Sequence, residues 1–89
     1  MNHPPDTREI PVYNRAGEVI AHTVVDAGDY DWYSLFRWFR SSEGYARRTQ
    51  DGRKVYLHRD LLGLKPGDGL LGDHKNRDRL DNRRSTLRV

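Results

Sequence analysis

The fold is decided by the stretch Gly44-Tyr45-Ala46-Arg47-Arg48-Thr49-Gln50-Asp51-Gly52-Arg53-Lys54-Val55-Tyr56-Leu57-His58-Arg59. Its first six residues alternate in the manner of a strand with one buried face. Asp51-Gly52 is a dipeptide favoured in tight two-residue hairpin turns, and residues 54–59 then return as the partner strand. We expect Tyr45 and Tyr56 to lie beside arginines on one face, where Arg47 and Arg48 suit contact with a DNA groove or backbone. An ordinary solvated face is the alternative.

A second hairpin is predicted upstream of this one. Residues 8–13 form a short strand in which Pro11 favours an edge position, 14–17 a turn, and 18–25 a strand rich in β-branched residues. Residues 1–7 are expected to be a loosely attached, flexible arm.

Between the hairpins the sequence predicts one short helix over about 29–36. Carboxylates in 26–29 can cap its start, and apolar residues follow at helical spacing: Trp32, Leu35, Phe36 and Phe39. We expect this stripe to supply the core, with a base-stacking platform as the alternative. Residues 37–40 are predicted to leave the helix as a strand.

Composition excludes several classes of protein. The 89 residues contain no cysteine, which excludes disulfides and cysteine-based zinc sites. No apolar stretch approaches membrane-spanning length, and the N-terminus is no signal peptide, so we expect a cytoplasmic protein that does not bind membranes.

Charge is divided unevenly along the chain. Residues 1–43 carry four Lys/Arg and seven Asp/Glu (net −3), whereas 44–89 carry twelve and six (net +6). An arginine-rich half suits phosphate contacts, because guanidinium groups match phosphate oxygens. A solvated face is again the alternative.

The Pro/Gly-rich loop that follows residues 61–64 is the clearest module boundary. We predict an α+β protein with three parts: an arm (1–7), a β-rich module with one helix and a small antiparallel sheet (8–64), and a C-terminal hairpin (65–89).

An Asp-His pair ends the first strand of that C-terminal hairpin. Neighbouring strand residues point to opposite faces, so Asp73 and His74 share a site only if the strand twists or ends there. A carboxylate suits Mg²⁺ or Mn²⁺, and a neutral imidazole can take a proton from water. From these residues alone, solvated surface groups are the favoured interpretation.

Three segments together resemble the phage HNH homing endonucleases: Val-Tyr-Leu-His-Arg at 55–59, Asp-His-Lys-Asn at 73–76, and Leu-Asp-Asn-Arg-Arg-Ser-Thr-Leu-Arg-Val at 80–89. In that family a strand reading LHR precedes DHxN…LDNRRxNLRV. The Gly-Tyr-Ala-Arg-Arg run and the Asp-Tyr-Asp-Trp helix are also similar, so the resemblance covers residues 8–89. The combination is specific, although no single element is.

The resemblance implies a function and a role for each matching residue. It implies hydrolysis of duplex DNA, by nicking or cutting, with Asp73 as a metal ligand and His74 as the general base. The implied cofactor is Mg²⁺ or Mn²⁺, which stabilises charge on the leaving oxygen. His58 would be structural and Asn82 would fix the loop. Contacts to phosphates or bases would come from Lys75, Arg77, Arg83, Arg84 and Arg88.

Two positions depart from the family pattern. Thr86 stands where the family has the loop-organising Asn, and a hydroxyl offers fewer hydrogen bonds than an amide. The family's last metal ligand lies on a helix after LRV, and this sequence ends at Val89, so we expect a ββα-metal motif without its helix. The chain is then part of a longer enzyme, a short form that binds DNA without cutting, or one completed by another subunit, such as a homodimer partner. A regulatory protein with an acidic partner is a further alternative.

Overall fold

A computed structural model describes residues 6–89 as a small α+β fold, which confirms the predicted class. The elements in chain order are β1 (Thr7–Tyr13), β2 (Val19–Asp26), α1 (Ala27–Tyr33), β3 (Trp38–Arg40), β4 (Ala46–Gln50), β5 (Arg53–Tyr56), α2 (Leu57–Leu61), β6 (Asp73–His74), a 3-10 turn (Arg84–Thr86) and β7 (Leu87–Arg88). Residues 1–5 of the predicted arm lie outside the described part, and Thr7 is already buried in β1.

The main sheet has five strands in the order β2-β1-β3-β4-β5. Its β1–β3 pair is parallel, so the sheet is mixed and the prediction of an antiparallel sheet is wrong at this pair. The reason is the connection: the chain passes from β2 through α1 and returns on the far side of β1, running in the same direction as β1. A helical crossover permits such a pairing, whereas a tight hairpin does not.

The two predicted hairpins are confirmed. β1 pairs antiparallel with β2, and β4 with β5. At the second turn Asp51 and Gly52 have φ values of 52° and 77°, and Gln50 pairs with Arg53 across it. Positive φ at both central residues is the type I′ turn whose twist matches the flanking strands. The Asp-Gly signal therefore predicted both the position and the geometry of this turn.

The predicted helix exists, but its buried residues are different from those expected. It spans Ala27–Tyr33 and ends before the apolar stripe is complete. Tyr33 and Trp38 are 8% and 0% exposed, whereas Trp32 and Leu35 are 58% and 71% exposed. Because the helix stops at Tyr33, the later positions do not continue its face, and Trp38 enters β3 opposite Val12.

The segment predicted as the end of a strand forms a second helix. β5 ends at Tyr56, and residues 57–61 are helical. Leu57 and Leu61, four residues apart, both face the core at 0% and 5% exposure. The neighbouring His58 is also buried, at 5% exposure. Burial of two adjacent residues and of the residue four positions on fits one face of a helix but not the alternation of a strand, which favours α2 over a longer β5.

The C-terminal segment packs against the edge of the sheet. Val24 of β2 donates its N–H to the carbonyl of Leu80 at 2.9 Å, and its own carbonyl accepts the N–H of Asn82 at 2.7 Å. Leu87 joins the core formed by Ile10, Val12, Val25 and Trp38. The edge of β2 is thereby covered, and segment 65–89 is fixed beside the strands. No helix within residues 6–89 is long and apolar enough to cross a membrane.

Candidate functional site

The Asp73–His74 pair forms the short strand β6, which pairs antiparallel with β7. Asp73 is opposite Arg88, and His74 is opposite Leu87. His74 is 4% exposed, while the side chain of Asp73 is 58% exposed. The two side chains therefore follow the alternation of a strand, one inward and one outward.

A buried chain of hydrogen bonds fixes the imidazole of His74. Its Nε2 is 2.9 Å from Oδ1 of Asn82, whose Nδ2 is 2.7 Å from the hydroxyl of Thr23. That hydroxyl in turn lies 2.8 Å from the carbonyl oxygen of Leu80. A carbonyl only accepts, so Thr23 donates to Leu80 and accepts from Asn82, which leaves Oδ1 to accept from His74. The proton of neutral His74 therefore lies on Nε2, and Nδ1 carries the lone pair.

Two rings pack against the imidazole of His74. The centroid of His74 lies 4.9 Å from that of His58 and 5.9 Å from that of Tyr45, and Tyr45 stacks on His58 at 4.8 Å. A Cβ added at Gly72 would lie 3.0 Å from Cδ2 of His58. The absence of a side chain at Gly72 therefore permits its backbone to lie close to the His58 ring. Three elements distant in sequence thus form one ring cluster, which we define as Tyr45, His58 and His74.

The environment of His58 keeps its side chain neutral. Burial first, and then the nearby His74 and Arg59, lower the pKa of His58 from its ordinary value of 6.5 to about 4, while Asp73 opposes them. A buried imidazolium without a carboxylate partner is costly. The burial and ring contacts of His58 are those of a packing residue.

Thr86 and Asp81 organise the loop that follows β6. The Thr86 hydroxyl lies 2.9 Å from the carbonyl oxygen of Asp81 and 2.8 Å from that of Arg83. The Asp81 carboxylate accepts from Asn76 at 2.8 Å and from two nitrogens of Arg83 at 2.8 and 2.7 Å. The Arg83 guanidinium holds the pKa of the Asp81 carboxyl below its usual range. Asp81 was missed by sequence reasoning, because its role depends on contacts that only the folded loop makes.

Three of the five arginines of the C-terminal segment form ion pairs with aspartates. Arg83 pairs with Asp81 at 2.7 Å, Arg84 with Asp29 at 2.8 Å, and Arg88 with Asp73 at 3.0 Å. Nζ of Lys75 contacts the carbonyl oxygen of Ser85 at 3.3 Å, and Arg77 is exposed.

The predicted DNA-contacting residues Arg47 and Arg48 lie on β4, away from this loop. Both are half-buried. The Arg48 guanidinium lies 3.9 Å from the centroid of the Phe36 ring. Neither arginine forms an ion pair within residues 6–89.

The residues present do not form a metal site by themselves. Within residues 6–89 no group of three His, Cys, Asp or Glu is placed to hold a metal ion. Asp73 bonds Arg88 through Oδ2 at 3.1 and 3.0 Å, and this partner holds the pKa of the Asp73 carboxyl below its usual range. His74 faces away from that carboxylate. A divalent cation here needs additional oxygen ligands.

Comparison of the chain with protein-family models, with curated proteins and with solved structures gave no match.

Proposed function

We propose that this protein is a DNA endonuclease of the HNH type, which acts in the cytoplasm and hydrolyses a phosphodiester of duplex DNA. One observation carries the proposal: an imidazole next to a carboxylate on a two-residue strand is held by an amide so that Nδ1 has the free lone pair. A fixed tautomer is what a general base requires.

The proposed chemistry begins with proton transfer. Nδ1 of His74 takes a proton from water, and the resulting hydroxide attacks phosphorus. The bond from phosphorus to the leaving oxygen breaks, and that oxygen takes a proton from solvent. Mg²⁺ or Mn²⁺ would supply charge stabilisation at the leaving oxygen. Its ligands would be Asp73 released from Arg88, oxygens of the DNA phosphate, and groups from a second copy or another chain.

A second candidate is a DNA-binding module on the same scaffold that does not cut. Two observations favour it: His74 is 4% exposed, and Asp73 is paired with Arg88. A base that water reaches poorly, beside an already neutralised carboxylate, suits a structural role. DNA binding alone needs neither group.

A nicking assay separates the two candidates. Supercoiled plasmid is incubated at low salt with Mn²⁺ or Mg²⁺, with the wild type, His74→Ala and the matched control His22→Ala, whose histidine is exposed on β2. Nicking by the wild type and by His22→Ala, absent with His74→Ala or EDTA, supports the endonuclease. Salt-dependent binding of duplex DNA without His74-dependent nicking refutes it in favour of the binding module.

A further inference from the structure

Several cations without an ion pair lie on the main sheet and in the loops that border its strands. Arg15, Arg37, Arg40 and Arg47 have no carboxylate within ion-pair distance in the described part of the chain. Arg83, Arg84 and Arg88 of the C-terminal segment, by contrast, each pair with an aspartate. The cations of the sheet are therefore available to an external partner.

Aromatic rings lie beside these arginines on neighbouring strands of the sheet. Tyr13 of β1 is the register partner of Phe39 of β3, and their ring centroids are 6.3 Å apart. Phe39 is the partner of Arg47, and Arg47 is the partner of Tyr56. Register partners lie on the same face of a sheet, about 4.8 Å apart from strand to strand. These four residues form one row across β1, β3, β4 and β5, which we call the ring row.

The ring row lies on the face away from the core. Trp38, the neighbour of Phe39, is 0% exposed in the core, so Phe39 points the other way. Each residue of the row is half-buried. The Arg37 guanidinium lies 4.3 Å from the centroid of the Tyr13 ring, which adds a cation at this end.

A shallow cleft opens at the end of the row formed by Tyr13, Phe39 and Arg47. It has a volume of about 160 Å³, and rings and arginines contribute six of its lining residues: Tyr13, Phe39, Arg15, Arg40, Arg47 and Arg48. No acidic residue within the described chain lines it. Sites for whole small molecules typically have roughly 300–1,000 Å³, so the cleft suits a flat ring or a phosphate group of a longer ligand.

We propose that the ring row binds single-stranded DNA, with unpaired bases stacked on Tyr13, Phe39 and Tyr56 and with phosphates held by Arg15 and Arg47. Rings stack on bases of any sequence, and guanidinium groups take the phosphates between them. In a duplex the faces of the bases are covered by their neighbours, so a row of rings favours unpaired bases.

The row ends beside the candidate site. The ring of Tyr56 is 5.9 Å from Tyr45 and 6.1 Å from His58, two members of the ring cluster. A strand bound along the row therefore runs from Tyr13 towards His74. This inference goes beyond the proposed cleavage activity, and binding by the row requires neither His74 nor a metal.

The test is fluorescence anisotropy of a labelled ten-nucleotide oligo(dT) at low salt in EDTA. We expect Phe39→Ala to weaken binding by about tenfold or more, because one base–ring stack has that magnitude. Trp32→Ala, which removes an exposed ring from α1, changes binding less than twofold. Phe39→Trp retains binding and Phe39→Leu loses it. Wild-type affinity in Phe39→Leu would overturn the proposal, since leucine keeps the apolar bulk without a π face. Circular dichroism checks that each variant is folded.

The charge component is tested by the salt dependence of the same binding. We expect Arg47→Gln to lower the slope of log K against log salt by about 0.7, the value for one phosphate contact of a single strand. Arg47→Lys keeps the slope, and Lys65→Gln, in the loop after α2, leaves it unchanged. An unchanged slope in Arg47→Gln would contradict the assignment of this arginine.

Two comparisons distinguish binding of single-stranded DNA by the ring row from binding of RNA and from the proposed cleavage activity. Oligo(U) that binds more than tenfold more tightly than oligo(dT), with the same loss in Phe39→Ala, overturns the assignment to DNA in favour of RNA. Oligonucleotide binding that depends on Phe39, without plasmid nicking, supports the ring row and refutes only the endonuclease. Plasmid nicking without Phe39-dependent binding of the oligonucleotide supports the endonuclease and refutes only the ring row.

Discussion

Nε2 of His74 and Oδ1 of Asn82 are joined by a buried 2.9 Å hydrogen bond. Nδ2 of Asn82 also donates a hydrogen bond to the hydroxyl of Thr23, 59 residues earlier in the chain. One amide therefore fixes the tautomer of the imidazole and links the C-terminal loop to β2. The stability of the loop and the orientation of the proposed base depend on the same side chain.

Asn82→Ala is expected to destabilise the fold by about 1–3 kcal/mol, because it leaves the buried Nε2–H of His74 without its acceptor and removes the hydrogen bond that the Thr23 hydroxyl accepts. Urea unfolding followed by circular dichroism measures the change. Asn14→Ala is the matched control, since the Asn14 amide bonds Glu18 in an exposed turn, and its effect should stay below about 0.5 kcal/mol. Equal effects of the two substitutions would contradict the role given to Asn82.

Thr86→Val should destabilise the protein by about 1 kcal/mol, since it keeps the shape of the side chain and removes a hydroxyl that bonds the carbonyls of Asp81 and Arg83. Thr49→Val, on an exposed position of β4, serves as the control and should be close to neutral. If the midpoint of urea unfolding is the same for Thr86→Val and the wild type, the hydroxyl does not organise the loop.

The stability of the fold should depend on pH through His58. Its pKa is lowered from 6.5 to about 4 in the folded protein, so the unfolded chain binds more protons between these values. The contribution of neutral His58 is fully present above pH 6.5 and is lost as the pH falls towards 4. At about 1.4 kcal/mol per pKa unit, the loss is at most about 3.5 kcal/mol.

Urea unfolding at a series of pH values between 4 and 7 measures this dependence. His58→Gln should flatten the decline in stability, whereas His22→Gln, at an exposed position of β2, should leave it unchanged. If the stability of His58→Gln falls with pH as much as that of the wild type, another group causes the pH dependence.

The two tryptophans provide a direct test of which residues form the core. Trp38→Ala should cost about 3–5 kcal/mol, because Trp38 is 0% exposed and its removal leaves a cavity. Trp32→Ala should cost less than about 1 kcal/mol, since Trp32 is 58% exposed and its ring meets that of Phe36 edge-on. Chemical unfolding measures the free energy of unfolding of both variants. A larger loss in Trp32→Ala than in Trp38→Ala would mean that the predicted helix stripe, and not Trp38, supplies the core.

The local features of this protein were determined by the sequence itself. Asp51-Gly52 specified its turn because few other dipeptides accept positive φ at both positions. Alternation and β-branched residues specified the strands of the two hairpins, since a strand with one buried face requires a period of two. The lack of cysteine is sufficient to exclude disulfides. These inferences rest on composition, dihedral preferences and periodicity, and the last two act over only a few residues.

Only the tertiary structure decided the partners of distant residues. It placed β1 parallel to β3, buried Trp38 in place of Trp32, and joined Arg84 to Asp29, 55 residues apart. It also packed the ring of His58 against that of His74 and left Arg47 without an ion pair among residues 6–89. The physical reason is that these contacts depend on how the helical crossover and the C-terminal loop return to the sheet. Several carboxylates along the chain could neutralise each arginine, and no local preference chooses among them.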